Sequence, residues 1–240
     1  MTDGRASGAQ QVLAWCGGVL FVLSLLYFVW CYAWGFGSTP AAAGTSVWPP
    51  AGIDLILFSI FALHHSWCAR AGVKDWIRRA APPALERSIY VWIASVLFIA
   101  TCALWQPVPG TLWRLAGAGR TALALAQVAA GIAAVASARR LDVLELAGIR
   151  QVLNRPGAPA HGLETGGLYR LTRHPIYTTW LLVVALTPDM NGTRFIFAVV
   201  SCAYLFVAVP FEERDLVRTF GQAYQEYQRQ VRWKIVPFVY

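Results

Sequence analysis

Two polar clusters in the last third of the chain hold the residue types that do chemistry. They read HGLETGGLYRLTRHPIY, ending at Tyr177, and PFEERDLVRTFGQAYQEYQRQV, starting at Pro210. In the first, Gly162, Gly166 and Gly167 let backbone approach a ligand closely. Pro175 suits the first position of a helix, which puts His174 at a helix entrance. Backbone N–H groups and the positive end of a helix dipole there can receive a carboxylate or another anion. Taken alone, the segment reads better as a glycine-rich loop and a helix cap. In the second cluster, Glu212 and Glu213 stand at the exit of an apolar stretch, where acids are costly unless paired or functional. Leu216, Phe220, Tyr224, Tyr227 and Val231 follow at spacings of three and four, one face of an amphipathic helix. That face belongs either to a helix lying on a membrane surface or to a lid packed back over a site.

Other polar residues carry less. His64 and His65 are adjacent, so they cannot share one helix face and do not form a paired metal site. Asp54 opens an apolar stretch, and Glu86 with Arg87 opens another, where a salt bridge or a lipid-headgroup contact is their default role. Cys16, Cys31, Cys68, Cys102 and Cys202 are scattered, without a CxxC spacing, and read as small packing residues rather than a metal site or disulfide framework.

The elements that must position these groups are set by composition. The 240 residues are 57% hydrophobic and only 13% charged, against roughly 25% charged in soluble domains. Mean hydropathy is +0.49. These values exclude a disordered chain and argue for the bilayer as solvent. Apolar stretches at 12–34, 53–69, 89–105 and 121–138 approach the roughly 17–25 residues of a spanning helix. A fifth, 176–188, is short, and a sixth, 194–210, follows the reversal signal Pro188-Asp189-Met190-Asn191-Gly192. The last two read as a helical hairpin. The fold expected is an all-α, polytopic transmembrane helix bundle of five to six spans, with that hairpin and a C-terminal amphipathic interfacial helix. The apolar core of the first stretch is longer than the 7–15 residues of a signal peptide, so it is expected to be retained, although Ala41-Ala42-Ala43 would suit cleavage.

With six spans and the N-terminus inside, seventeen of the twenty Lys and Arg fall in cytoplasmic segments. Only Arg114, Arg120 and Arg194 lie outside. This positive-inside pattern places both termini in the cytoplasm. It accounts for the net charge of +8 without nucleic acid, for which no basic soluble face with interleaved aromatics is visible. Eighteen of the twenty basic residues are Arg, which with abundant Ala and Gly points to a GC-rich genome and a bacterial inner membrane. Trp34, Trp48, Trp76, Trp105 and Trp113 fall near span ends, where amphipathic rings anchor. The hairpin brings the two polar clusters together. From His174 to the turn and from the turn to Glu212 are legs that differ by about one helical turn, so His174 faces the Glu212/Glu213 pair, with the glycine loop as a third wall.

GLYRLTRHPIY followed by EERDLVRTFGQAYQEYQ resembles the C-terminal signature of the integral-membrane methyltransferases that include the isoprenylcysteine carboxyl methyltransferases and phospholipid methyltransferases. FALHHSWCARAGVKDW, ERSIYVWIASVLF, LWQP and TPDMNGTRFIFA are similar to the methanethiol S-methyltransferase group, a likeness that runs over most of the chain. Thr179 departs from the superfamily pattern, which has Gly there.

The resemblance implies S-adenosylmethionine as cofactor, with Gly167, Leu168, Tyr169, Arg173, His174, Tyr177, Glu212 and Glu213 binding it and Arg173, His174 and Glu213 as catalytic residues. The apolar stretches and polar clusters divide the chain into residues 1–138, an N-terminal four-helix transmembrane region, and 139–240, the cofactor-binding loop, hairpin and C-terminal interfacial helix, within one membrane domain. His64, His65, Tyr224 and Tyr227 are added as substrate contacts. On this reading the acids hold ribose hydroxyls or the amino end of the cofactor, while the helix entrance and Arg173 hold its carboxylate end. The acceptor is a small thiol such as methanethiol, giving dimethyl sulfide, with Arg173 favouring the thiolate and His174 taking the proton. The alternatives are a prenylcysteine carboxylate or a phospholipid amine as acceptor, a non-catalytic or transporting membrane partner, and an NADPH-binding relative. The sequence leaves the oligomeric state open.

Overall fold

The apolar stretches become helices whose outer faces are unburied hydrocarbon. A computed structural model describes residues 6–38, 44, 46–68, 71–153 and 162–240. Arg5, Arg70, Arg155, His161 and the run Ala41-Ala42-Ala43 lie outside the described residues. Five helical segments are long and apolar enough to cross a membrane, namely Gly8–Ser38, Trp48–Cys68, Pro83–Leu104, Gly117–Ala138 and Gly192–Phe220. Side chains such as Leu26, Leu63, Leu125 and Val207 are exposed along them, a surface suited to lipid rather than water. This is an all-α, polytopic integral membrane protein.

Contacts divide the chain into two compact units, Met1–Pro107 with Asp142–Ala160, and Val108–Leu141 with His161–Tyr240. In the first unit, α1 (Gly8–Trp30) begins with a Ser7–Gln10 capping box and continues through a π-helical turn, Cys31–Gly35. α2 (Trp48–Cys68), α3 (Ala71–Ala80) and α4 (Glu86–Leu104) follow. Phe98 of α4 packs on Phe28 of α1 and Phe61 of α2, and Trp92 Nε1 donates to Leu13 O at 2.9 Å. The buried Asp54 accepts from the Gln106 N–H at 2.7 Å. Glu86 does form a salt bridge, with Arg78 at 2.6 Å. Trp34, Trp48 and Trp76 are exposed, as interfacial anchors would be. Trp105 is not: it is buried against Phe36.

The second unit holds α5 (Gly117–Ala138), α6 (Pro175–Ala185), α7 (Gly192–Phe220) and α8 (Gln222–Gln230). The fourth apolar stretch, α5, therefore packs with the hairpin: Gln127 Nε2 donates to Val183 O at 2.7 Å. α6 has 11 residues and rises about 16 Å, roughly half of a hydrocarbon core. The reversal at residues 188–192 carries a feature the turn signal did not suggest. Asp189–Asn191 form a strand, β2, paired antiparallel with β1 (Thr111–Arg114). Arg114 and Arg120 form ion pairs with Asp189, and Arg194 donates to the Asp189 carbonyl, so the three basic residues assigned to the outer side gather at this end of the hairpin. α6 and α7 pack through Trp180, which lies on Phe197 and donates to Ser201. α7 runs 29 residues, through Pro210 and past both acids. The C-terminal amphipathic face is not one helix. Gly221, at φ +57, ends α7 and starts α8.

Candidate functional site

Pro175 opens α6, and the three residues before it are pinned by the C-terminal segment. Arg173 N–H donates to Trp233 O and His174 N–H to Lys234 O, both at 2.9 Å. The Thr172 hydroxyl donates to Lys234 O at 2.6 Å and that of Thr178 to Ile235 O. The entrance of α6 is thereby fixed before any side chain is considered. Its expected anion-receiving amides are mostly in use: Pro175 has none, and the Tyr177 and Thr178 N–H groups both donate to His174 O at 3.0 Å.

Onto this entrance α7 delivers its acids. Glu213 is buried and takes a two-point contact from Arg173, Nε to Oε1 at 2.6 Å and Nη2 to Oε2 at 3.2 Å. Arg173 Nη1 donates further to Val231 O at 2.7 Å and Arg232 O at 3.0 Å. Four of the five guanidinium hydrogens are thus committed. Tyr224 Oη and Gln228 Nε2, both 3.4 Å away, complete the Glu213 environment. The His174 imidazole stands between the acids, Nε2 3.4 Å from Glu213 Oε1 and Nδ1 3.9 Å from Glu212 Oε2. Glu212 is different: its side chain is 42% exposed, and the Tyr177 hydroxyl donates to it at 2.7 Å. Tyr177 also stacks on His174, ring centroids 5.4 Å apart and planes within 5°.

The glycine loop forms the next wall. Tyr169 is buried with Tyr224, Tyr227 and Val231, and Leu216, Val217 and Phe220 pack on them. The amphipathic face is therefore covered by protein, as a lid would be, rather than by lipid. Tyr227 Oη donates to Tyr169 O at 2.6 Å. Burial, then the charges of Glu164 and Glu212, pushes the Tyr169 phenol up to about 12. Burial, with nearby carboxylates, also raises Tyr224 and Tyr227. These phenols are neutral hydrogen-bond donors at any physiological pH.

The arrangement is a cluster of paired acid, base and guanidinium with one accessible carboxylate, flanked by aromatic rings. No family model matches the chain, and no solved structure matches it. A methanethiol S-methyltransferase from a Pseudomonas species is 34% identical over 238 residues, covering 95% of this chain and 90% of that protein. One from Mycobacterium tuberculosis is 37% identical over 183 residues, covering 75% of each. The chain belongs to the methanethiol S-methyltransferase family. Nurim from Sus scrofa is more distant, at 28% identity over 75% of this chain and 73% of its own length.

For a methyltransferase of this family, the expected residues fall into three groups. Tyr169, Arg173, His174, Tyr177, Glu212 and Glu213 come together in the second unit, with Gly167 and Leu168 on the adjoining 3₁₀ turn. Tyr224 and Tyr227 are buried with Tyr169. His64 and His65 lie in the first unit, where His65 Nδ1 and the Tyr90 hydroxyl are 2.8 Å apart and His64 stacks on the Tyr90 ring. Thr179 turns its hydroxyl back to Pro175 O and Ile176 O, both at 2.9 Å, so the departure from Gly is absorbed within α6. Sequence reasoning passed over the C-terminal run Trp233–Ile235 that pins the entrance, and Arg140 and Glu164 beside the glycines. The first left no motif, because its role lies in backbone bonds.

Proposed function

We propose that this protein moves a methyl group from S-adenosylmethionine to a small thiol such as methanethiol, giving dimethyl sulfide. The observation that carries the reading is the division between the two neighbouring acids. Glu213 is buried in its ion pair, whereas Glu212 presents an accessible carboxylate, oriented by Tyr177, on the same polar cluster. An accessible acid beside the rings of Tyr177 and His174 suits a ligand that is cationic at sulfur and carries ribose hydroxyls. When bound, S-adenosylmethionine supplies a methyl carbon activated by its sulfonium.

The residues of the chain do the rest by positioning. Arg173 and Glu213 lock the entrance of α6 to the end of α7, which sets the place of Glu212 and Tyr177. Arg173 acts through Glu213 rather than on the ligand, because its donors are already engaged. Glu212 accepts hydrogen bonds from the cofactor, and the Gly167–Tyr169 turn offers backbone contacts. The thiolate is the reactive form of the acceptor. His174 is the base the cluster offers, and the two carboxylates beside it pair with the imidazolium that results. The buried tyrosines beneath the site and the apolar helices around it limit water, and a small apolar thiol reaches it through lipid. The proposed setting is a bacterial inner membrane with both termini cytoplasmic, which puts the site on the side that supplies the cofactor.

The test offers the purified protein labelled S-adenosylmethionine with methanethiol, a prenylated cysteine and phosphatidylethanolamine in turn. Labelled dimethyl sulfide is the expected product. Label confined to the prenylcysteine ester or the methylated lipid would replace the acceptor. Label in none of the three would remove the thiol-transfer reading.

A further inference from the structure

Arg173, nominated from sequence for the carboxylate end of the methyl donor, is committed to Glu213 and two carbonyls. The glycine loop nevertheless has a guanidinium against it. Arg140, just beyond α5, lies close against Gly167: a Cβ built there would sit 2.5 Å from Arg140 Nε and 2.9 Å from Cζ. At Gly166 it would sit 2.7 Å from Nη1. Two successive glycines are what make this approach possible, and Gly167 also has φ +57.

The Arg140 fork is not saturated as that of Arg173 is. Among the described residues its hydrogen-bond partner is Glu164, at a long 3.5 Å from Nη1 to Oε1. That same oxygen already accepts the Gly166 N–H at 2.6 Å. The Arg140 side chain is 48% exposed. The turn leads into the polar cluster: Tyr169, two residues past Gly167, is buried with Tyr224, whose hydroxyl donates to Glu213 at 3.4 Å. An accessible guanidinium with spare donors, lying against two glycines, matches the planar two-oxygen geometry of a carboxylate.

We propose that Arg140, laid against Gly166 and Gly167, receives the α-carboxylate at the amino-acid end of the sulfonium methyl donor. The inference rests on the reading of this side-chain cluster as an S-adenosylmethionine site and names the residue that reads one end of that ligand.

The experiment measures equilibrium binding to the purified protein in lipid-free detergent. The probes are S-adenosylhomocysteine and 5′-methylthioadenosine, which share the nucleoside thioether but differ in the amino-acid end. Wild type is expected to bind S-adenosylhomocysteine about tenfold or more tighter, the scale of a charge-assisted contact. Arg140→Gln is expected to lose that preference while binding 5′-methylthioadenosine unchanged, which also shows that it is folded. An unchanged preference in Arg140→Gln overturns the assignment, as does the absence of any preference in wild type. If Arg140→Gln binds neither probe, Arg140→Lys decides, since it keeps charge and length. It is expected to bind both with the preference reduced, because the planar fork is lost, and an undiminished preference in Arg140→Lys overturns the assignment. Wild type binding neither probe would overturn the methyl-donor reading itself.

Discussion

Arg173, at the entrance of α6, and Glu213, near the end of α7, stand 40 residues apart in sequence and meet through two hydrogen bonds of 2.6 and 3.2 Å. The contact closes the hairpin at the end that carries the polar cluster. It also separates the twin acids by role, because Glu213 is held inside while Glu212 is left reachable.

Breaking this pair from one side leaves an uncompensated charge in a buried place. Arg173→Ala and Glu213→Ala are each expected to cost about 3–5 kcal/mol. The double substitution Arg173→Met with Glu213→Leu should cost less than either. Thermal unfolding of the detergent-solubilised protein measures this, and additive losses in the double variant would show that the two residues act independently.

Glu212 should behave in the opposite way. Glu212→Gln removes an accessible charge, so stability is expected to change by no more than about 0.5 kcal/mol. Affinity for S-adenosylhomocysteine is expected to fall about tenfold or more. Calorimetry and thermal unfolding on the same preparation separate the two effects.

A third expectation concerns Tyr227, whose hydroxyl donates to the Tyr169 carbonyl at 2.6 Å. Tyr227→Phe leaves that buried acceptor without its donor and is expected to cost about 1–3 kcal/mol. Because Tyr169 follows directly on the glycine turn, the same variant should bind S-adenosylhomocysteine less tightly, and the binding isotherm provides the check.

Alkaline pH supplies a further test. The folded chain holds the Tyr169 proton more tightly than the unfolded chain, about 12 against an ordinary 10.0. Its contribution to stability is therefore full below pH 10 and is lost as pH rises toward about 12. Unfolding free energy measured from pH 9 to 12 should fall, and Tyr169→Phe should fall less steeply.

Much of this was legible in sequence, and the misses have physical causes. Two legs about the 188–192 reversal that differ by about one helical turn placed His174 opposite Glu212 and Glu213, since helix rise is uniform. Which acid would be buried was not legible, because that depends on which face of α7 meets Arg173. The β1–β2 pairing joins Trp113 to Met190 across most of the second unit, and non-local register leaves no trace in local periodicity. The threefold and fourfold spacing of residues 216–231 did identify a buried face, but it concealed the break at Gly221, because α8 resumes with the same face turned inward. Arg140 escaped notice as one of many basic residues near a span end, where a positive-inside role accounts for it.

The most direct measurement titrates the purified wild-type protein separately with S-adenosylmethionine and with NADPH, and repeats the first titration with Glu212→Gln. Saturable binding of S-adenosylmethionine at one site, weakened in the variant and with no binding of NADPH, is the expected result. Saturable NADPH binding without S-adenosylmethionine binding, or S-adenosylmethionine binding indifferent to Glu212, would contradict the site described above.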